Sequence, residues 1–164
     1  MLGVLGPQGV RCGNGRTNAT VFAGSVSLYK SGEYPFAVDV TSTSTGAVQV
    51  AQGDLMFCAN GSWPNCTNVV VSGGSLTLKS TNAFGDQSRG EREKPKALWN
   101  ISSGAKINLG YTGRIKCSAI FVDGAETNGG TYGAVGSGAD HEYACFSGPG
   151  LLYVVRKGTV FFVQ

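Results

Sequence analysis

The feature that most constrains this chain is a pattern that recurs: apolar-x-apolar-x-x-Gly-x-apolar-x-apolar. It fits Ala19, Val21, Gly24, Val26 and Leu28; then Val48, Val50, Gly53, Leu55 and Phe57; then Val69, Val71, Gly74, Leu76 and Leu78. A fourth copy, Trp99, Ile101, Gly104, Ile107 and Leu109, carries one extra residue after its glycine. Alternation with a period of two is the signature of a half-buried strand, so each copy reads as two short strands joined by a bend at glycine. Copies about 20 to 30 residues apart can stack their apolar positions into one core. The pattern therefore predicts an all-β, Gly-rich short-strand repeat resembling a parallel β-solenoid. The alternative is a β-sandwich or jelly roll completed by a donated terminal strand.

Nothing else in the chain argues for helix. No window keeps apolar residues at i, i+3, i+4 and i+7 for three turns, whereas short apolar or alternating runs recur throughout. The 164 residues include 26 Gly and 5 Pro, and charged residues make up only 14%. Low charge with 41% hydrophobic content excludes wholesale disorder, and glycine without a three-residue period excludes collagen. No apolar run approaches 18 residues, so no helical membrane span is expected. A net charge of +3 without basic residues interleaved with aromatics gives no footprint for nucleic acid.

Two signals bear on compartment. Five cysteines occur, Cys12, Cys58, Cys66, Cys117 and Cys145, with no C-x-x-C pair and a single His, so no ordinary zinc quartet is expected and no metal or other cofactor is assigned. Cys58 and Cys66 bracket a turn-rich stretch and read as a loop closed by a local disulfide. Cys117 and Cys145 lie in apolar segments and can pair at longer range, leaving Cys12 free or intermolecular. Four N-x-S/T sequons begin at Asn18, Asn60, Asn65 and Asn100, against about one or two expected by chance. Together these predict an extracellular or cell-surface setting with glycosylation at those four asparagines.

Along the chain, residues 1–17 read as an N-terminal arm able to add as a strand to a neighbouring subunit. Residues 18–164 read as one all-β domain. Residues 85–96 hold seven of the 23 charges and read as a solvated loop. The C-terminal run Val160, Phe161, Phe162 and Val163 is apolar on both faces, and Leu2, Val4 and Leu5 are apolar at the other end. A two-sided apolar terminus leaves an adhesive edge, so these residues are the expected contacts of head-to-tail self-association.

The last third is more specific. Ile120-Phe-Val-Asp-Gly124 is followed by Gly130-Thr-Tyr-Gly-Ala134 and then by Phe146-Ser-Gly-Pro-Gly-Leu-Leu-Tyr-Val154. This order resembles the C-terminal tail of bacterial autotransporter-associated β-strand repeat proteins, and the copies around Gly53, Gly74 and Gly104 are similar to that family's rungs. The resemblance spans roughly residues 46–155. It implies a surface-exposed structural or adhesive β-solenoid module rather than an enzyme.

Chemistry is thinly represented. Asp140-His141-Glu142 is the one clustered acid/base group, but in an extended stretch its carboxylates and imidazole point in opposite directions, and it follows a Gly/Ser/Ala-rich connector. It reads as surface loop. Trp63, Tyr111 and Tyr132 are candidate sugar-stacking aromatics for a carbohydrate-binding module. A fragment of a β-helical polysaccharide-degrading enzyme is the third reading. The leading expectation is a secreted, glycosylated structural protein whose partner is itself, with glycans as a second class of partner.

Overall fold

A computed structural model describes residues 10–12, 22–85 and 97–155. Among them every regular element is a strand. One six-stranded sheet contains, in spatial order, β1 (Val10–Cys12), β3 (Phe36–Val38), β5 (Asp54–Phe57), β7 (Ser75–Leu78), β9 (Lys106–Leu109) and β15 (Phe146–Ser147), all parallel. A second six-stranded sheet contains β2 (Leu28–Lys30), β4 (Val48–Val50), β6 (Asn68–Val71), β8 (Leu98–Ile101) and β11 (Ala119–Val122), parallel, and then the antiparallel β12 (Ala125–Glu126). Successive strands thus alternate between the two sheets from β1 to β9. A four-stranded sheet, β10 (Arg114–Cys117), β16 (Leu151–Val154), β13 (Gly130–Gly133) and β14 (His141–Glu142), completes the C-terminal end. The antiparallel pairing that a jelly roll needs is confined to β11–β12 and β13–β16.

The period-two alternation places one residue of each pair inside. Leu28, Val48, Val69, Trp99 and Ile120 stand opposite one another in register, as do Phe36, Leu55, Leu76, Ile107 and Phe146 on the other sheet. All ten are buried and belong to one core. Aromatic side chains thicken that core at the turns. Phe22 stacks on Trp63 with centroids 5.0 Å apart, and Phe84 meets Phe57 at 4.9 Å and Trp99 edge-on at 5.4 Å.

The first repeat copy falls in a different register from the sequence expectation. Val26 is exposed, and the partners of Val48 and Leu55 are Leu28 and Phe36. Lys30 explains the difference, because it occupies the inward position held by Val50, Val71 and Ile101 in the later strands of the same sheet. It is 2% exposed, and its ammonium donates to the carbonyls of Ser31, Gly32 and Gln52 at 3.2, 2.6 and 3.1 Å. Burial pushes its pKa down, and the Asp54 carboxylate opposes that shift. A buried cation persists because its protons are all used. Lys30→Met restores the apolar column but leaves the turn carbonyls without a donor, and is expected to cost about 2 kcal/mol in urea unfolding. A stabilised variant would show that the carbonyls do not need it.

The expected disulfides are corrected. Cys58, Cys66, Cys117 and Cys145 are all free thiols. Cys58 follows β5 in the outward phase of Asp54 and Met56, whereas Cys66 is buried in the core, so the two face different environments. Cys117 lies on β10 and Cys145 immediately before β15, in different sheets. Burial pushes the Cys66 thiol up to about 11, and it raises Cys117 and Cys145 as well. Cys12 pairs through its backbone with Val38 in β1. Val10–Cys12 of the expected arm therefore belong to an intramolecular sheet, while Leu2, Val4, Leu5, Asn18, Val160, Phe161, Phe162, Val163 and loop residues 86–96 lie outside the described residues.

Candidate functional site

Among the described residues, the C-terminal end builds a concavity that takes in Asp140 and His141 of the acid/base cluster but not Glu142. An Asp-Gly turn joins β11 to β12, with φ of 50° at Asp123 and 79° at Gly124, the left-handed pair that a two-residue hairpin requires. Asp123 Oδ1 accepts from Ser103 N at 2.8 Å and ties this turn to the segment that follows β8. The chain then leaves β12 through Thr127, whose N–H and hydroxyl both donate to Ile120 O. Beyond it lies an open cleft of about 770 Å³ lined by Ser118, Glu126, Thr127, Asn128, Gly129, Asp140, His141, Val154 and Val155.

The local hydrogen bonds give these side chains their roles. Asp140 Oδ2 accepts from Thr131 N and Thr131 Oγ1 at 2.9 and 3.0 Å, while Asp140 N donates back to Thr131 Oγ1. The His141 ring stacks on Tyr132 at 4.6 Å, and Tyr132 OH donates to Asn128 O. Glu142 points instead at the loop 134–139 and accepts from Gly136 N and Gly138 N, both at 2.9 Å. Asp140 and Glu142 thus anchor two backbone segments. Among the described residues no group of three His, Cys, Asp or Glu side chains is placed to hold a metal ion. The arrangement offers the cleft a flat imidazole, the Glu126 carboxylate and short hydroxyl and amide groups, a lining suited to hydrogen-bonding a polar ligand.

The N–H donors of Gly136 and Gly138 hold the Glu142 carboxyl below the usual carboxylate range. Because the folded-state pKa is the lower one, the loop's support is complete above the ordinary glutamate range. It is lost as pH falls through the depressed value. Acidification should therefore release the amide protons of Gly136 and Gly138 to exchange before those of β13, and Glu142→Gln should release them at neutral pH. Hydrogen exchange followed by NMR reads both.

The expected surface aromatics are not at the surface. Trp63 and Tyr132 are fully buried and Tyr111 nearly so, with Tyr111 OH donating to Leu151 O at 2.9 Å. Trp63 looked exposed because turn residues surround it, yet those turns fold the ring inward onto Phe22. The sequons also differ. Asn60 is exposed, Asn65 is half-buried, and Asn100 lies within β8 with its Nδ2 donating to Asn68 Oδ1 at 3.1 Å. The nitrogen that would carry a glycan is thus engaged at Asn100. Expression through a glycosylating secretory route should load Asn60 to a greater extent than Asn100, which peptide mass spectrometry measures.

Among the described residues no helix is long and apolar enough to cross a membrane. No family model, curated protein or solved structure matches the chain.

Proposed function

We propose that the chain is a parallel β-solenoid serving as a structural module of a cell-surface or extracellular assembly, joined to copies of itself through its ends. The observation that carries this reading is the set of parallel sheet edges at the two ends. Among the described residues, β1 and β2 terminate the two large sheets at one end and β15 terminates the first sheet at the other, each a parallel strand with one neighbour, whereas β12 folds back antiparallel at the far end of the second sheet. A parallel edge with free N–H and C=O groups is a template for a further strand. Registered stacking of successive strand pairs supports the same reading, since each added pair covers the edge of the one before it. The exposed Asn60 sequon and the sparse charge fit a surface covered by Ser, Thr, Asn and sugar.

Light scattering over a concentration series, with negative-stain microscopy of the same samples, tests the proposal. Concentration-dependent growth that is weakened by deleting residues 1–9, or by Val160→Asp with Phe162→Asp, is the expected result. Monodisperse monomers at millimolar concentration, indifferent to those changes, would sink it.

A further inference from the structure

The outward face of the β2–β4–β6–β8–β11 sheet differs from that of its partner. Its outward positions include Tyr29, Gln49, Val70, Asn100 and Phe121, which stand opposite one another in a single row across five strands. All five are half-buried, and the outward positions of these strands carry no charge. The outward face of the other sheet bears Asp54 and Lys106. The row does not stop at Phe121. Glu126 lies directly opposite it on β12, and Glu126 lines the C-terminal cleft together with His141. A neutral track therefore runs from Tyr29 into a polar cleft.

We propose that this track binds an extended, neutral, β-linked polysaccharide laid along the sheet, with one end of the glycan seated in the cleft. Three properties favour that occupant. Strand spacing repeats the row at about 4.8 Å, close to the rise of one pyranose in an extended β-linked chain, so Tyr29 and Phe121 lie about 19 Å apart, roughly four sugars. Aromatic rings at both ends, with the amides of Gln49 and Asn100 flanking Val70 between them, match the apolar faces and hydroxyl edges of sugars. The amide of Asn100 is oriented by its bond to Asn68. The area also decides against a second protein: five strands of three or four residues cover about 290 Å², well short of the roughly 800 Å² per partner of a stable protein interface. The absence of charge along the row and the carboxylate of Glu126 at its end disfavour acidic polymers.

Calorimetric titration of the full chain with cellohexaose, xylohexaose and polygalacturonate tests the proposal. A neutral hexasaccharide should bind about tenfold more tightly than its trisaccharide, and polygalacturonate should not bind. Tyr29→Ala and Phe121→Ala should each weaken the hexasaccharide about fivefold to tenfold, while Thr77→Ala on the opposite sheet leaves binding and melting unchanged. Should Phe121→Ala fail to fold, Tyr29→Ala at the opposite end carries the test. Failure of both neutral hexasaccharides to bind at millimolar concentration overturns the proposal, as does binding indifferent to Tyr29→Ala and Phe121→Ala. So does a dimer that either substitution dissolves, because the face would then be a protein interface. Phe121 lies on β11 between β8 and β12, away from the β2 edge, so Phe121→Ala reads glycan binding separately from end-to-end assembly.

Discussion

Gly74→Val is expected to leave little folded protein. Gly74 has φ of 65°, and a Cβ at that position would lie 2.2 Å from Gly53 O and 2.8 Å from Gly53 N. No rotamer relieves this, because both obstacles are backbone. Nor can the neighbouring turns separate: Ser75 N donates to Gly53 O at 2.8 Å and Lys106 N to Gly74 O at 3.1 Å, so the crowded peptide units carry hydrogen bonds between adjacent segments. Left-handed strain contributes about 1–2 kcal/mol and each lost backbone bond about 1 kcal/mol, before any loss of packing. A total near 5 kcal/mol compares with the roughly 5–15 kcal/mol that stabilises a typical domain. Gly104→Ala is the matched control, since a Cβ there meets nothing within 4 Å and its φ is not left-handed. It should be neutral or slightly stabilising, by less than about 1 kcal/mol. Urea titration followed by circular dichroism measures both. Similar midpoints for the two variants would contradict the close stacking at Gly53 and Gly74.

Trp99→Ala is the second large effect. Trp99 is fully buried between Val69 and Ile120 in the core column, with Phe84 packed against its face or edge at 5.4 Å and 85°. Removing the indole opens a cavity that rigid sheets on either side cannot close, and about 3–5 kcal/mol should be lost. Trp99→Phe separates volume from polarity. Trp99 Nε1 is buried without a hydrogen-bond partner among the described residues, so phenylalanine deletes an unsatisfied donor along with some volume. Its cost should stay near 1–2 kcal/mol. Equal losses for Ala and Phe would mean that the indole nitrogen is satisfied after all.

The contrast between Gly74 and Gly104 shows how far the repeat could be read. The pattern aligned both glycines as equivalent bends, and for the second, third and fourth copies its apolar positions are those that pair: Val48 with Val69, Val69 with Trp99, Leu55 with Leu76 and Leu76 with Ile107. Where the alternation was clean, periodicity was sufficient. The β2–β3 pair escaped because Lys30 replaces an aliphatic residue and because residues 31–35 lengthen its turn. The signal that could have found it is Gly32, with φ of 81°, and Phe36-Ala-Val38 after it.

The cleft was only half legible. Asp140 and His141 were singled out, but Glu126, Ser118 and Asn128 come from other segments and reach the same cavity only because β11 turns back and β16 runs beside β10 and β13. The cysteines show the same division. Their number was plain, but which thiols can meet depends on side-chain phase and sheet membership, neither of which spacing encodes.

The sequence by itself determined that this chain is all-β, that glycine marks its bends, and which residues of the regular coils are buried, because period-two alternation and left-handed turns are local properties. The tertiary structure alone decided that successive strands alternate between two parallel sheets, that Trp63, Tyr111 and Tyr132 turn inward, that the four described thiols stay apart, and that a neutral row leads into a cleft. Those outcomes depend on which residue lies on the neighbouring strand, and a variable distance in sequence, 19 residues between Phe36 and Leu55 but 39 between Ile107 and Phe146, hides that neighbour until the strands are paired.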